Sequence, residues 1–351
     1  MDVFSNITIY EEDNKLLTIQ QVAELAGVSS ATVSRVLNNP ERVKENTKEK
    51  VLKVIQSVNY QPNSAGQSLR LNKSHMVMVT LPDITNTFFS RVVRGIKSAA
   101  NDCGYDVLLF ETTESSNSED KIKQFISTRK VDGIIHLSAK TRFRELLLHY
   151  EETSVVLACE YMEQIDFPSV SIDNVAAAMD ATKYLTTLGH REILYVNGPT
   201  NMILCRDRLR GYRFALDQSG VAFEDELVLF GDFTMRSGYS VVAEALERKL
   251  QFTAVFCAND AMAIGAMKAL QERGIRIPQD VSVVGFDDIE FASYSQPSLT
   301  TVTQPSEEIG RAAMKMWIKI NDGEVITDPV KLQHRMTIRE SSGFVKKEIS
   351  V

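Results

Sequence analysis

The chain has 351 residues, 44% of them hydrophobic and 24% charged, with a formal net charge of -7. That is enough apolar material for more than one packed domain, and no apolar run approaches the ~20 residues that span a bilayer. MDVFSNITIYEED at the start holds no basic segment followed by an apolar one, so no secretory leader is expected and the cytoplasm is the expected compartment. Cys103, Cys159, Cys205 and Cys257 lie far apart, each in or beside an apolar stretch, which predicts reduced core thiols and no metal site.

Residues 1–17 form a tail with four acids against one base, Lys15. From Thr18 to Asn72 the balance reverses, with seven bases against four acids. An acidic body with a basic head turns the head toward phosphate and keeps the body away from it. TIQQVAELAGVSSATVSRVLN, at 18–38, reads as two short helices around a glycine turn. Thr18 caps the first helix and Gln21 reaches back to it, while Ile19, Val22, Ala23 and Ala26 supply the apolar face. Gly27 turns the chain, and Ser29 caps a second helix whose Val33, Val36 and Leu37 point inward. This leaves Ser30, Ala31, Thr32, Ser34, Arg35 and Asn38 toward a partner, and in a DNA major groove Arg35 has the fork geometry for guanine O6 and N7.

A helix-turn-helix alone is a common packing shape. Here a third helix, over about 46–58, supplies Val51, Leu52, Val54, Ile55 and Val58 to close a three-helix core, with Asn46 or Thr47 as its cap. The unit is small enough to be a recognition module. Residues 63–74 lack bulky core side chains and read as flexible in isolation. Beyond His75, eight branched-apolar segments alternate with amphipathic helices: MVMVTLP, YDVLLF, VDGIIHL and SVVLAC, then EILYVNG, ELVLF, TAVFCA and VSVVGF. Such alternation predicts parallel sheets covered on both faces. Ligands bind outside the carboxyl ends of such strands, where this chain places Asp83, Asp232, Asn259, Asp260 and Asp287. For Asp83 and Asp260, capping the following helix is an equal alternative to ligand contact.

AGVSSATVSRVLN, VNYQPN and the segment ending in Leu69 resemble the headpiece and hinge of the LacI/GalR family of bacterial transcription repressors. PDITNTFFSRVVRGI, DGII, SIDN, GHREILYVNGP, RLRGY, FCANDAMAIGAM, VSVVGFDD and LTTVTQP follow in the order that family shows. The resemblance implies a small all-α headpiece at 18–62, a hinge helix at 63–74 and an α/β core at 75–346. That core would be a two-lobe doubly wound fold like the type I periplasmic binding proteins. Lobe 1 would hold about 75–173 and 305–335, and lobe 2 about 174–304 and 336–346.

In the family the hinge folds on palindromic operator DNA when two subunits meet, and Leu69 matches the leucine that wedges into the minor groove, flanked by Asn63 and Gln67 as further contacts. Gly66 and Gln67 stand where the family has Ala and Arg, and glycine weakens a helix by about 1 kcal/mol, so a less preorganised hinge is expected. In the core, Asp83, Phe88, Arg208, Phe233, Asn259, Asp287 and Gln304 match positions lining the effector cleft. Carboxylates of Asp287 and Asp83 would accept from vicinal hydroxyls, Arg208 would donate, and Phe88 or Phe233 would stack. Phe89 is expected in the core rather than Phe88.

The resemblance further implies a homodimer that needs no cofactor. GDFT, ILCRDRLRGY and Gly66 are similar to the cytidine-responsive branch of the family, which implies a nucleoside effector and cooperation with the cyclic-AMP receptor protein. A sugar-responsive repressor is the alternative. An enzyme is not expected, since no nucleophile elbow, phosphate loop or metal-spaced histidine pair occurs. An exported binding protein would not carry the headpiece.

Overall fold

The structure, a computed structural model, describes residues 17–60, 73–112, 117–138, 154–163 and 167–346. The chain divides into two compact units, 1–74 and 75–351. In the first, helices α1 (Ile19–Ala26), α2 (Ser30–Asn38) and α3 (Glu45–Ser57) enclose Val22, Ala26, Val33, Val36, Val51 and Tyr60. Val54, Ile55 and Val58 are half-buried against that cluster, but Leu52 is exposed, one position outside the stripe that faces the other two helices. The third helix starts at Glu45 with Lys44 at its cap position and no side-chain cap, so neither Asn46 nor Thr47 caps it. Both lie in the first turn, where Glu45 supplies the negative charge that a helix N-terminus favours.

The second unit contains two six-stranded sheets. The first has β1 (Met76–Leu81), β2 (Asp106–Glu111), β3 (Gly133–His136), β4 (Ser154–Ala158), β5 (Ser169–Ile172) and, from near the end of the chain, β11 (Val330–Leu332). Its order is β11-β5-β4-β3-β1-β2 and every pairing is parallel. The second has β6 (Ile193–Asn197), β7 (Val228–Phe230), β8 (Ala254–Cys257), β9 (Ser282–Asp287), β10 (Thr300–Thr303) and β12 (Arg335–Thr337), in the order β12-β10-β9-β8-β6-β7. Only β12 runs antiparallel to its neighbour.

The sequence indicated eight strands; β5, β10, β11 and β12 are additional. They are three or four residues long and carry Ser, Thr, Lys or Arg, so no apolar run announces them. They lie where the chain changes sheets, which it does after Ile172, after Thr303 and between Leu332 and Arg335.

Helices α4 (Thr87–Asp102) and α5 (Asn117–Ser127) follow first-sheet strands, and α6 (Asn174–Thr187), α7 (Ile203–Gln218), α8 (Met235–Glu247), α9 (Asp260–Glu272) and the short α10 (Glu290–Tyr294) belong with the second sheet. The last helix, α11 (Ser306–Asn321), returns to the first sheet and crosses α4 closely enough to require glycines on both. A Cβ at Gly95 would lie 2.0 Å from the Glu307 carbonyl oxygen, and one at Gly310 2.0 Å from that of Val92. Among the described residues no helix is long and apolar enough to cross a membrane. Cys159, Cys205 and Cys257 are buried free thiols, whereas Cys103 is exposed because it ends α4 at the surface.

Candidate functional site

In the headpiece the local chemistry sets the exposed strip. Thr18 Oγ1 accepts from the Gln21 N–H, and the Gln21 Oε1 accepts from the Thr18 N–H at 2.8 Å, so two orphan amides are satisfied at once. Gly27 adopts φ +60°, the left-handed turn that lets Val28 N–H close on the Ala23 carbonyl. Ser29 Oγ then accepts from Thr32 N–H at 3.2 Å. With Val33 and Val36 buried, Ser29, Ser30, Ala31, Arg35 and Asn38 are exposed, and Thr32 and Ser34 are half-buried. The Thr32 hydroxyl shares a hydrogen bond with Ser29 Oγ, and Asn38 Nδ2 donates to the Ser34 carbonyl. Asn63, Gln67 and Leu69 lie outside the described residues.

In the core, the carboxyl ends of both sheets carry polar side chains fixed by long-range bonds. Arg208, on α7, is 4% exposed; its Nε donates to Asn174 Oδ1 at 2.9 Å and its Nη1 to the Ala258 carbonyl. The guanidinium lies 3.7 Å from the centre of the Phe286 ring, a cation–π contact worth more in a desolvated setting. Asp287 follows on from Phe286, and Gln304 Nε2 donates to its Oδ1 at 2.7 Å. Burial pushes the Asp287 carboxyl up to about 6, with Arg208 and Gln304 opposing that rise. Asn259 caps α9 by accepting from Met262 N–H and donates from Nδ2 to the Phe233 carbonyl at 3.0 Å. Phe233 is half-buried over Met202, Leu204 and Cys205. Five of the seven expected cleft positions, Arg208, Phe233, Asn259, Asp287 and Gln304, thus stand together around the second sheet.

The other two are placed differently. Asp83 is exposed, and its Oδ1 accepts from the Thr85 N–H and hydroxyl at 2.8 and 2.6 Å; Asn86, not Asp83, caps α4. Phe88 is buried in the core cluster and Phe89 only half-buried, the reverse of the expectation, because the helix turns its second residue inward. Asp260 does not cap α9 either. It is fully buried, accepting from Ile289 N–H at 2.8 Å and from the Thr301 hydroxyl at 2.6 Å, and it braces the loop that presents Asp287. A Cβ at Gly285 would meet Asp260 Oδ1 at 2.2 Å, so glycine is required for that brace.

Sequence reasoning missed Asn174, Cys159, Glu160 and Tyr161. Asn174 opens α6 and orients Arg208. Cys159, Glu160 and Tyr161 follow β4, the position where ligand contacts concentrate in parallel sheets, which was the available signal. The Tyr161 hydroxyl donates to Asp207 Oδ2 on the second lobe at 2.9 Å, and nearby Glu163 pairs with Arg206 at 3.0 Å. Burial raises the Cys159 thiol well above its usual range, with Glu160 and Asp287 adding to the rise and Arg208 opposing it. Cys159, Phe233, Asp287 and Asp288 all have positive φ, backbone strain gathered at the cleft. Asp288 is held by Arg339 at 2.7 Å and the Thr303 hydroxyl at 2.9 Å, and its carbonyl accepts from Arg91 of the first lobe at 2.8 Å. Among the described residues no group of three or more His, Cys, Asp and Glu could hold a metal ion.

Residues 18–63 match the family described as bacterial regulatory proteins, lacI family, and residues 74–340 match periplasmic binding proteins and sugar binding domain of LacI family. The HTH-type transcriptional repressor CytR of Escherichia coli (strain K12) is 36% identical over 308 residues, 88% of this chain and 90% of that one. The ribose operon repressor of the same strain is 33% identical over 325 residues, 92% of this chain and 97% of that one. Among solved structures, the lac repressor dimer bound to operator and the anti-inducer ONPF superposes with a TM-score of 0.85 at 28% identity, covering 94% of this chain and all of that one.

Proposed function

The chain belongs to the LacI family of bacterial transcription repressors, and from that premise we propose that its effector is a nucleoside such as cytidine, held between the two lobes of the core. The family is one of ligand-responsive DNA-binding regulators, not enzymes. The observation that carries the nucleoside reading is that the buried Arg208 guanidinium, stacked on Phe286, and the adjacent buried Asp287 carboxyl lie at the same end of the second sheet as the half-buried ring of Phe233. A fork of N–H donors and a buried carboxylate suit vicinal hydroxyls, and an aromatic face suits a flat base. The identity with CytR supports the same reading, while the identity with the ribose operon repressor supports the alternative, a sugar effector.

Ligand draws the lobes together, the first lobes shift across a homodimer, and the hinge that contains Leu69 loses its grip on the minor groove. Operator reading falls to Arg35, Ser30, Ala31, Ser34 and Asn38, with Thr18, Ser29 and Thr32 near phosphate, and to Asn63 and Gln67 in the hinge. Gly66 loosens that hinge, so cooperation with a neighbouring activator, the cyclic-AMP receptor protein, is part of the proposal. The ligand shifts operator occupancy only by its differential affinity for the two forms, with couplings of about 1 to 3 kcal/mol. A thermal-shift screen of nucleosides against sugars tests the assignment: stabilisation by cytidine, uridine or adenosine is expected, and stabilisation by sugars alone would overturn it.

A further inference from the structure

Three consecutive residues of α7 divide their work between the lobes. At about 100° per residue, Arg206 and Asp207 share one side of the helix, and Arg208 points about 200° away from Arg206. Arg208 reaches into its own lobe, to Asn174 and the Ala258 carbonyl. Asp207 and Arg206 instead meet the first lobe, through the Tyr161 hydroxyl at 2.9 Å and Glu163 at 3.0 Å. The two contacts differ in weight. Arg206 and Glu163 are more than half exposed, so water and salt screen that pair to little net value. Tyr161 and Asp207 are half-buried, and a hydroxyl donating to a carboxylate withdrawn from water makes the stronger bond. Burial raises the Asp207 carboxyl, which the Tyr161 hydrogen bond and the Lys331 charge oppose. The Tyr161 ring is also seated from its own side. Lys331 Nζ, on β11, lies 4.8 Å from the ring centre and donates to Ser171 Oγ, on β5, at 2.8 Å. Both strands end where the chain leaves the first sheet for the second. Tyr161 therefore rests on the segments about which the lobes can turn, and its hydroxyl holds the opposite lobe.

We infer that Tyr161 and Asp207 form a latch that holds the two lobes closed before effector arrives, Tyr161 being the positioning residue that keeps α7, and with it Arg208, against the first lobe. The inference rests on lobe closure as the response to effector, and not on which effector is bound. A ligand that binds the closed form has its apparent affinity reduced by the fraction of molecules that are open. The latch enlarges the closed fraction and so raises that affinity without touching the ligand. By the same linkage, loosening the latch weakens effector binding while every ligand contact stays in place.

The test is a double electron–electron resonance measurement of the distance between lobes in the full-length protein. One spin label goes on Cys103, the exposed thiol that ends α4 in the first lobe, and the other on Gln251→Cys, at an exposed position of the second. Dilution with unlabelled chain removes distances between subunits. Without effector, wild type is expected to show chiefly the separation found in the structure, and Tyr161→Phe to lower the ratio of closed to open molecules by about fivefold. Asp207→Ala should act in the same direction and add nothing in the double variant, since both remove one bond. Tyr184→Phe removes a hydroxyl bonded to Ser342 inside the second lobe and should leave the distribution unchanged. Ratios within about twofold between wild type and Tyr161→Phe, or an equal shift in Tyr184→Phe, would overturn the latch. Wild type found only at a wider separation would overturn it too, and that arm needs no variant to fold. Cytidine added as a probe keeps the two readings apart: if it moves no population while Tyr161→Phe still opens the lobes, the nucleoside reading falls and the latch stands.

Discussion

The headpiece and the core hold their functional side chains in opposite ways. In the headpiece, Ser29, Ser30, Ala31, Arg35 and Asn38 are exposed, and the bonds that order them reach no more than four positions along the chain. In the core, Arg208, Asn259, Asp287 and Gln304 are buried, and each has a partner 17 to 50 positions away. The reading surface can therefore change its specificity with little folding cost, whereas the cleft is part of what stabilises the lobes. Substitutions in the two regions should separate accordingly.

Arg208→Ala should produce the largest effect. It leaves Asn174 Oδ1 and the Ala258 carbonyl without their donor and removes the cation that faces Asp287. Breaking such a buried arrangement costs about 3 to 5 kcal/mol, and the effector response should vanish with it. Urea unfolding and a ligand thermal-shift assay measure the two together. A stability loss below about 1 kcal/mol would contradict the view that site and scaffold are one network.

Asp287→Asn comes next, and its signature is pH dependence. Because burial holds the carboxyl near about 6, the folded state keeps this proton more tightly than the unfolded chain does. The stability it contributes is therefore fully present below the unfolded value near 3.9 and is lost as pH rises toward 6, by roughly 3 kcal/mol. The variant should lack that decline. Asp260, itself raised by burial and by Asp287, would relax downward in the variant and flatten the profile further. Melting curves from pH 4 to 7 should show the gap between the two proteins shifting in favour of the variant as pH rises; parallel curves would mean Asp287 is ionised throughout.

Arg35→Ala tests the other side. Losing one bidentate guanine contact costs about 1 to 3 kcal/mol, which is a loss of about fivefold to 150-fold in operator affinity. Stability should stay within about 0.5 kcal/mol, since the side chain is exposed. Gel-shift titration and urea unfolding on the same preparation read both. A substantial stability loss would show that the headpiece is as entangled as the core.

The same contrast governs what the sequence discloses. Thr18, Gln21, Gly27 and Ser29 perform locally the roles their types and spacing suggest, so the headpiece is legible residue by residue. The eight strands that lie in branched-apolar segments are legible for the same reason. The four short strands are not, because Ser171, Thr301, Lys331 and Arg335 are placed by neighbouring strands rather than by apolar periodicity. In the cleft, type and position point to Arg208 and Asp287, but sequence cannot distinguish Asn259 as the cap from Asp260 as the brace, or Phe88 from Phe89 as the core residue. Asn174 gains its meaning only when α6 packs beside α7 and meets Arg208.

Thr18→Ala should have the smallest effect and locates the boundary of local control. It removes the hydroxyl that caps α1 and leaves Gln21 with half of its reciprocal pair, for a cost of about 1 kcal/mol. In the full-length protein this should appear as roughly fivefold faster hydrogen exchange confined to the amides of residues 19–26. Operator affinity should fall by no more than the same factor, because α2 keeps its own cap at Ser29. The core melting temperature and the effector response should not move. If exchange quickened throughout α2 and α3 instead, the three helices would open as one unit, and the independence of the exposed reading strip would hold only against changes that leave the helix ends intact.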